Sequence, residues 1–259
     1  MQVLNRPWGT MHYRIDGPAN APTVIFANSL GTDLRLWDAA LAEIPGIRAI
    51  RFDKRGHGLS DLGGDYAIAD LADDVAALIE ATSDGPVIIC GLSIGGMIAQ
   101  NLAARRPDLI RAAVLSNTAV KMGTAESWTD RIRTIETRGI AAIADMVMER
   151  WFAPTFRARP ELALWRNMVI RTSAPGYIAA CRALAAADLT VQTAGLRLPT
   201  LVIAGDSDGS SPADLVRATA ALIPGARFHI IADAGHLPCV EQPHAFAATL
   251  IPFLQEHSR

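Results

Sequence analysis

The stretch that most constrains this chain is Gly91-Leu92-Ser93-Ile94-Gly95, read with its flanks. The apolar run Pro86-Val87-Ile88-Ile89-Cys90 leads in, and an amphipathic helical pattern from Gly96 through Arg106 leads out. A serine with a glycine two residues away on either side, between a buried strand and a helix, has the form of a G-x-S-x-G nucleophile elbow. The serine backbone must turn sharply and carry strain, and side chains at positions 91 and 95 would collide with that turn. The helix that follows aims its N-terminal amides at the reaction centre, where negative charge is favoured. The competing reading of the same residues is a tight turn with a serine N-cap.

Short apolar runs alternate with helical patterns along the chain, which predicts a mostly parallel sheet wrapped by helices. The predicted strands are Met11–Ile15, Thr23–Ala27, Arg48–Phe52, Val87–Cys90, Ala112–Ser116, Thr200–Ala204 and Arg227–Ile231. Their Val- and Ile-containing centres suit strands buried on both faces. Helical patterns cover Ile68–Ala81, Gly96–Arg106, Ala213–Leu222 and Gln242–Gln255. From Lys121 to Gly195 the rhythm changes to several helices without a convincing strand. The expected organisation is therefore a core made of residues 1–120 and 196–259, with residues 121–195 inserted as a helical cap over the C-terminal edge of the sheet.

A serine hydroxyl is a weak nucleophile unless a base takes its proton, and the base needs an orienting carboxylate. Behind such an elbow the order should be serine, then acid, then histidine. The strand Thr200–Ala204 runs into Gly205-Asp206-Ser207-Asp208, and Ile231-Ala232-Asp233-Ala234-Gly235-His236 follows the last strand. His236 is the expected base. Asp208 is the favoured acid over Asp206 and Asp233, because it lies farther past the strand end. Asp206 is expected to hold the loop and Asp233 to cap its own turn. Two backbone donors should meet the developing oxyanion: the Ile94 N–H after the nucleophile, and the Leu30 N–H in the loop Asn28-Ser29-Leu30-Gly31. The run Asp53-Lys54-Arg55-Gly56-His57-Gly58-Leu59-Ser60 is expected to be structural, with Asp53 and Arg55 satisfying local backbone and charge.

Composition limits the function classes. A net charge of −2 and a pI near 6.3, with no basic run, argue against a nucleic-acid binder. Three widely spaced cysteines fit a reducing compartment rather than a disulfide framework. Residues 1–6 lack the plan of a signal peptide, and no apolar run reaches membrane-spanning length, so a soluble, cytoplasmic protein without membrane partners is expected. No His/Cys/Asp cluster has metal-ligand spacing, and no metal or cofactor is expected.

These pieces together resemble the α/β-hydrolase superfamily over nearly the whole length: Asp53–Ser60 as its D-x-R-G-x-G-x-S turn, Gly91–Gly95 as its elbow, Gly205–Pro212 as its acid loop, and Gly235-His236. Many relatives have His-Gly where this chain has Asn28-Ser29. A narrower likeness lies in Asn28–Asp33, in Gly91–Gln100 and in Ser116–Ala119 with Gly123–Trp128, which look like 3-oxoadipate enol-lactonases, with Ile94 where many members have Met. The resemblance implies an α/β-hydrolase fold, a Ser93-Asp208-His236 triad, and hydrolysis of a small lactone in bacterial aromatic catabolism. Its substrate bears a free carboxylate, for which Lys121, Arg131, Arg133 and Arg171 are candidate partners, with Trp128 as an apolar wall. A carboxylesterase or a C–C bond hydrolase would use the same triad. A haloalkane dehalogenase would want Asp at position 93, and a non-catalytic receptor of this fold would be free to lose the triad. The oligomeric state stays open.

Overall fold

The computed structural model describes residues 1–258. Eight strands form one sheet: β1 (Gln2–Arg6), β2 (Gly9–Asp16), β3 (Thr23–Ala27), β4 (Arg48–Phe52), β5 (Val87–Leu92), β6 (Ile110–Ser116), β7 (Thr200–Gly205) and β8 (Arg227–Ile231). Their spatial order is β1-β2-β4-β3-β5-β6-β7-β8. β1, β2 and β4 pair antiparallel, and every pair from β4 onward is parallel. The fully buried runs of β5 and β7 follow from burial on both faces, whereas β8, at the edge, is largely exposed.

The helices before β6 are α1 (Asp38–Ala42), α2 (Ile68–Thr82) and α3 (Ile94–Arg105). Between β6 and β7 lie α4 (Ala125–Arg138), α5 (Ala144–Trp151), α6 (Pro154–Arg157), α7 (Leu162–Arg171), α8 (Ala174–Ala186) and α9 (Thr190–Ala194), with no strand among them. After β7 come α10 (Ala213–Ala221), α11 (Pro238–Glu241) and α12 (Pro243–His257). The seven predicted strands are present, three with the expected bounds and four one to three residues longer. β1 was not expected from the sequence: Gln2-Val3-Leu4-Asn5-Arg6 carries a weak apolar signal, and it is an edge strand exposed on much of its length. Its register on β2, from Gln2↔Tyr13 to Arg6↔Gly9, forms through a tight hairpin instead.

The sheet order reverses at β3 and β5, which lie side by side while their following connections run to opposite sides. Crevices at the carboxyl ends of strands at such a switch point are the usual place for a ligand in an open α/β sheet. Two contacts tie the helices between β6 and β7 to this edge. Gly176 in α8 meets Gly56 in the turn after β4 backbone to backbone, so closely that a Cβ on Gly176 would lie 2.3 Å from Gly56 O. Glu241, buried in α11, accepts the Ala153 and Gly235 N–H groups, each at 2.8 Å, and so joins the end of α5 to the loop after β8. Burial pushes the Glu241 carboxyl up to about 7 against the stabilising effect of those backbone donors.

Both ties generate predictions. Gly176→Ala should destabilise the fold by about 1–3 kcal/mol, the usual cost of overpacking, seen as a lower urea midpoint with an unchanged slope. Gly85→Ala, where an added Cβ meets nothing within 4 Å, is the control and should move the midpoint little. For Glu241, the folded state holds a proton that the unfolded chain has lost between its ordinary value of 4.5 and about 7. The carboxyl's contribution to stability therefore declines as pH rises through that window. Wild type should lose stability relative to Glu241→Gln from the lower to the upper end of it; a constant difference in unfolding free energy would contradict this reading.

Candidate active site

Ser93 stands between β5 and α3 with φ 60° and ψ −122°, an unusual backbone for a residue with a side chain. The turn is fixed on both sides. The Ser93 N–H donates to Ser116 O at 3.0 Å, while its carbonyl accepts Thr118 Oγ1 at 2.7 Å and the Gly96 N–H at 2.9 Å. Side chains have no room beside it: a Cβ on Gly91 would lie 2.2 Å from Gly95 O, and one on Gly95 would lie 2.0 Å from Ala27 O. The glycine pattern is thus a steric requirement of β3, β5 and α3 packing against one another.

The loops after β3, β5, β6, β7 and β8 meet at the same edge of the sheet. His236, from the loop after β8, has Nδ1 2.8 Å from Asp208 Oδ2, from the loop after β7. Both side chains are buried. Asp208 Oδ1 accepts the Ser210 and Ser211 N–H groups at 2.7 and 3.0 Å, and Oδ2 accepts Asn117 Nδ2 at 2.9 Å. The Ser211 hydroxyl lies 2.7 Å from both Asp208 Oδ2 and Asn117 O. Burial works against the Asp208 charge, but His236, Ser211 and Asn117 outweigh it and hold the carboxyl below its ordinary range. An ionised Asp208 accepts a proton-bearing Nδ1, which leaves Nε2 of His236 as the unprotonated, basic nitrogen. The backbone beside His236 is held as well, since its N–H donates to Trp151 O at 2.6 Å and its ring stacks on Trp151 with centroids 6.3 Å apart.

Asp206 takes a different part. It accepts the Asp233 N–H at 3.2 Å and the Ser207 hydroxyl at 2.9 Å, bridging the loops after β7 and β8 without touching His236. Asp233 occupies a left-handed turn at φ 52°.

Ser93 and His236 open onto one cavity of about 420 Å³, whose wall also includes Leu30, Trp128, Arg131, Arg150 and Tyr177. Trp128 is fixed by donating Nε1 to Met122 O at 2.6 Å, and the Arg131 guanidinium lies over its ring at 4.8 Å. Arg131 and Trp128 are three residues apart on α4 and so share a face. Arg133, two residues further on, points away and binds Asp130 at 3.3 Å in solvent. Lys121 precedes the helix and lies 3.5 Å from Asp188, also exposed. These two expected partners of a bound carboxylate are therefore outside the cavity. Arg171, near the end of α7, lines two other cavities, beside Trp165 and Asp33.

Arg150 was not singled out from the sequence, and its position in α5 gave no signal of a site. Burial and then the neighbouring Arg131 charge lower its pKa. Neither Arg131 nor Arg150 forms an ion pair with a carboxylate among the described residues. Asn117, Ser211 and Glu241 were likewise without an assigned role. For Asn117 a signal existed, since it follows directly on a strand end as Asp208 nearly does.

The D-x-R-G-x-G-x-S turn is structural through Asp53, with one partner different from expectation. Asp53 accepts the Leu34 N–H at 2.8 Å and the Leu59 N–H at 2.9 Å, and its Oδ2 lies 2.8 Å from His12 Nδ1. Arg55 pairs instead with Asp74 of α2, at 2.6 and 3.1 Å, and its guanidinium lies over the ring of Trp8, which donates to the same carboxylate.

Comparison with known proteins agrees with this architecture. The model of the alpha/beta hydrolase family matches residues 24–249. 3-oxoadipate enol-lactonase 1 of Acinetobacter baylyi is 32% identical over 98% of this chain and 97% of its own length, and 3-oxoadipate enol-lactonase 2 of the same organism is 35% identical over 91% and 90%. Among solved structures, the enol-lactonase from Burkholderia xenovorans LB400 is 37% identical, with a TM-score of 0.94 over 98% of this chain and all of that one. A thermophilic esterase from Thermogutta terrifontis, solved with malate bound, is 29% identical with a TM-score of 0.89, covering 97% and 95%. With its switch-point sheet, its elbow serine and its full-length similarity to these enzymes, the chain belongs to the alpha/beta hydrolase family.

Proposed function

We propose that the protein is a serine hydrolase that opens 3-oxoadipate enol-lactone to 3-oxoadipate, in the cytoplasm, as a step of bacterial aromatic catabolism. The observation that carries this reading is the cavity in which Ser93 and His236 face two arginines without carboxylate partners. A small, anionic ester fits that combination, and the full-length similarity to enol-lactonases supports the choice of lactone. Residues 121–195 act as a cap that supplies the arginines, and the core supplies the nucleophile and base.

In the proposed reaction His236 Nε2 takes the Ser93 proton as Oγ attacks the lactone carbonyl, and Asp208 stabilises the imidazolium that forms. The Leu30 and Ile94 N–H groups receive the oxyanion; one such donor is typically worth roughly 3–4 kcal/mol of barrier. Collapse of the tetrahedral adduct breaks the ring C–O bond. The enolate leaves while still tethered to the acyl group and, protonated on carbon with the proton that His236 carries, becomes a ketone. A water molecule, giving its proton to His236, then attacks the acyl-serine, releases the carboxylate and restores Ser93. Arg131 and Arg150 hold the substrate carboxylate by charge-assisted hydrogen bonds. Trp128 closes the apolar side of the ring site.

A general esterase for short anionic esters is the second reading. It is favoured by the likeness to the Thermogutta terrifontis esterase with malate bound. The two readings share the triad and part on the lactone.

Purified protein should hydrolyse freshly prepared enol-lactone, followed by loss of its ultraviolet absorbance, far faster than p-nitrophenyl acetate. Ser93→Ala should lower that rate by at least about three orders of magnitude while the protein stays folded. Ester turnover without lactone turnover would select the second reading. Arg131→Met and Arg150→Met should each raise KM for the lactone roughly 10-fold, in line with the loss of a hydrogen bond to a charged group. They should leave KM for the uncharged acetate ester nearly unchanged. An equal rise for both substrates would place the carboxylate elsewhere.

A further inference from the structure

Lys54 is a buried cation that the proposed reaction does not use. It is among the largest fully buried side chains, at 2% exposure, on the loop that follows β4. Among the described residues no carboxylate lies within ion-pair distance of its ammonium; the acceptors are Ser29 O at 2.5 Å and Thr32 O at 3.4 Å. Burial lowers its pKa to about 7, and the nearby charges of Asp53 and Asp33 only partly oppose that. His57, next to it and equally buried, stays neutral because burial, and then the Lys54 charge, hold its pKa well below the ordinary value. For stability alone, an apolar side chain of this length would serve better than an ammonium with only carbonyl partners.

What the ammonium touches is one half of a peptide unit whose other half is the Leu30 N–H. Ser29 O receives Lys54 Nζ, Thr32 Oγ1 at 2.9 Å and the Thr32 N–H at 3.3 Å. The Ser29–Leu30 peptide is trans, so the Leu30 N–H points to the opposite side from that carbonyl. Leu30 lines the cavity beside Ser93, and among the described residues no backbone acceptor takes its N–H. We propose that Lys54 is a positioning residue for the oxyanion hole: with Thr32 it pins the Ser29 carbonyl, fixes the Leu30 N–H toward the oxygen that becomes the oxyanion and, by drawing electrons through the peptide bond, makes that N–H a stronger donor. Cooperative polarisation along a chain of hydrogen bonds is the physical basis of the last effect. The inference rests on the serine-hydrolase reading but not on the lactone.

Two variants test it, Lys54→Met and Thr32→Val, each assayed on p-nitrophenyl acetate and on the enol-lactone. Lys54→Met should lower kcat roughly 10-fold, a fraction of the loss seen when an oxyanion donor is removed outright, with KM within about twofold. Its affinity for a trifluoromethyl ketone, which becomes an anionic adduct on Ser93, should fall by the same factor. A merely structural lysine would move all of these together or none of them. Thr32→Val keeps the ammonium and should show the same pattern at a few-fold; it decides the matter if Lys54→Met does not fold. Unchanged kcat and unchanged inhibitor affinity in a folded variant would overturn the inference. A wild type inert toward both substrates would instead overturn the serine-hydrolase reading on which it stands.

Discussion

Everything at this site depends on a backbone that only close packing keeps in place. Ser93 sits at φ 60° because β3, β5 and α3 approach so closely that positions 91 and 95 have no room for a side chain. A conformation of this kind costs of order 1–3 kcal/mol and persists only where the surroundings over-determine it. Here they do: Ser116 O, Thr118 Oγ1 and the first turn of α3 fix both ends of the serine. The strain lifts the hydroxyl out of the sheet at the point where the strand order reverses, and the cavity lies above it.

Around that point the charges are distributed unevenly, and the unevenness suits chemistry on an anion. Asp208 is satisfied several times over by two backbone amides, Asn117, Ser211 and His236. It can remain ionised without solvent and so keep the imidazole in one orientation and one tautomer. The cations are treated in the opposite way. Arg131 and Arg150 face the cavity without an ion-pair partner among the described residues, Asp130 in the same wall being paired with Arg133, and Lys54 donates only to carbonyl oxygens. A negative charge entering the cavity, or developing on a carbonyl oxygen there, meets the two arginines directly and Lys54 through the Ser29–Leu30 peptide.

Much of this was legible in the sequence, and what was not has physical reasons. The buried parallel strands announce themselves through Val and Ile because both faces need apolar cover. The elbow is legible because its glycines answer a local steric demand. Asp208 over Asp206 followed from distance past a strand end, and the two residues do take different partners, His236 for one and the backbone of the loop after β8 for the other. β1 was missed because an edge strand with a solvent-facing side needs little apolar sequence. Arg150, Ser211 and Glu241 owe their places to contacts between segments far apart in the chain, such as Ala153 and Glu241, 88 positions apart. Choosing among Lys121, Arg131 and Arg133 required the phase of α4 relative to the cavity, which residue type alone does not give. Lys54 sits inside a turn whose other residues are structural, and only the meeting of two loops shows what its ammonium reaches.

The most direct measurement is the site of covalent labelling by a fluorophosphonate, read by intact mass and peptide mapping. The label reacts only with a serine activated by a base and served by oxyanion donors, which is the arrangement argued for Ser93, His236 and the Leu30 and Ile94 amides. One adduct per chain, located on Ser93 and lost in His236→Ala, is the expected result. No adduct, or an adduct on another serine such as Ser29 or Ser211, would contradict it.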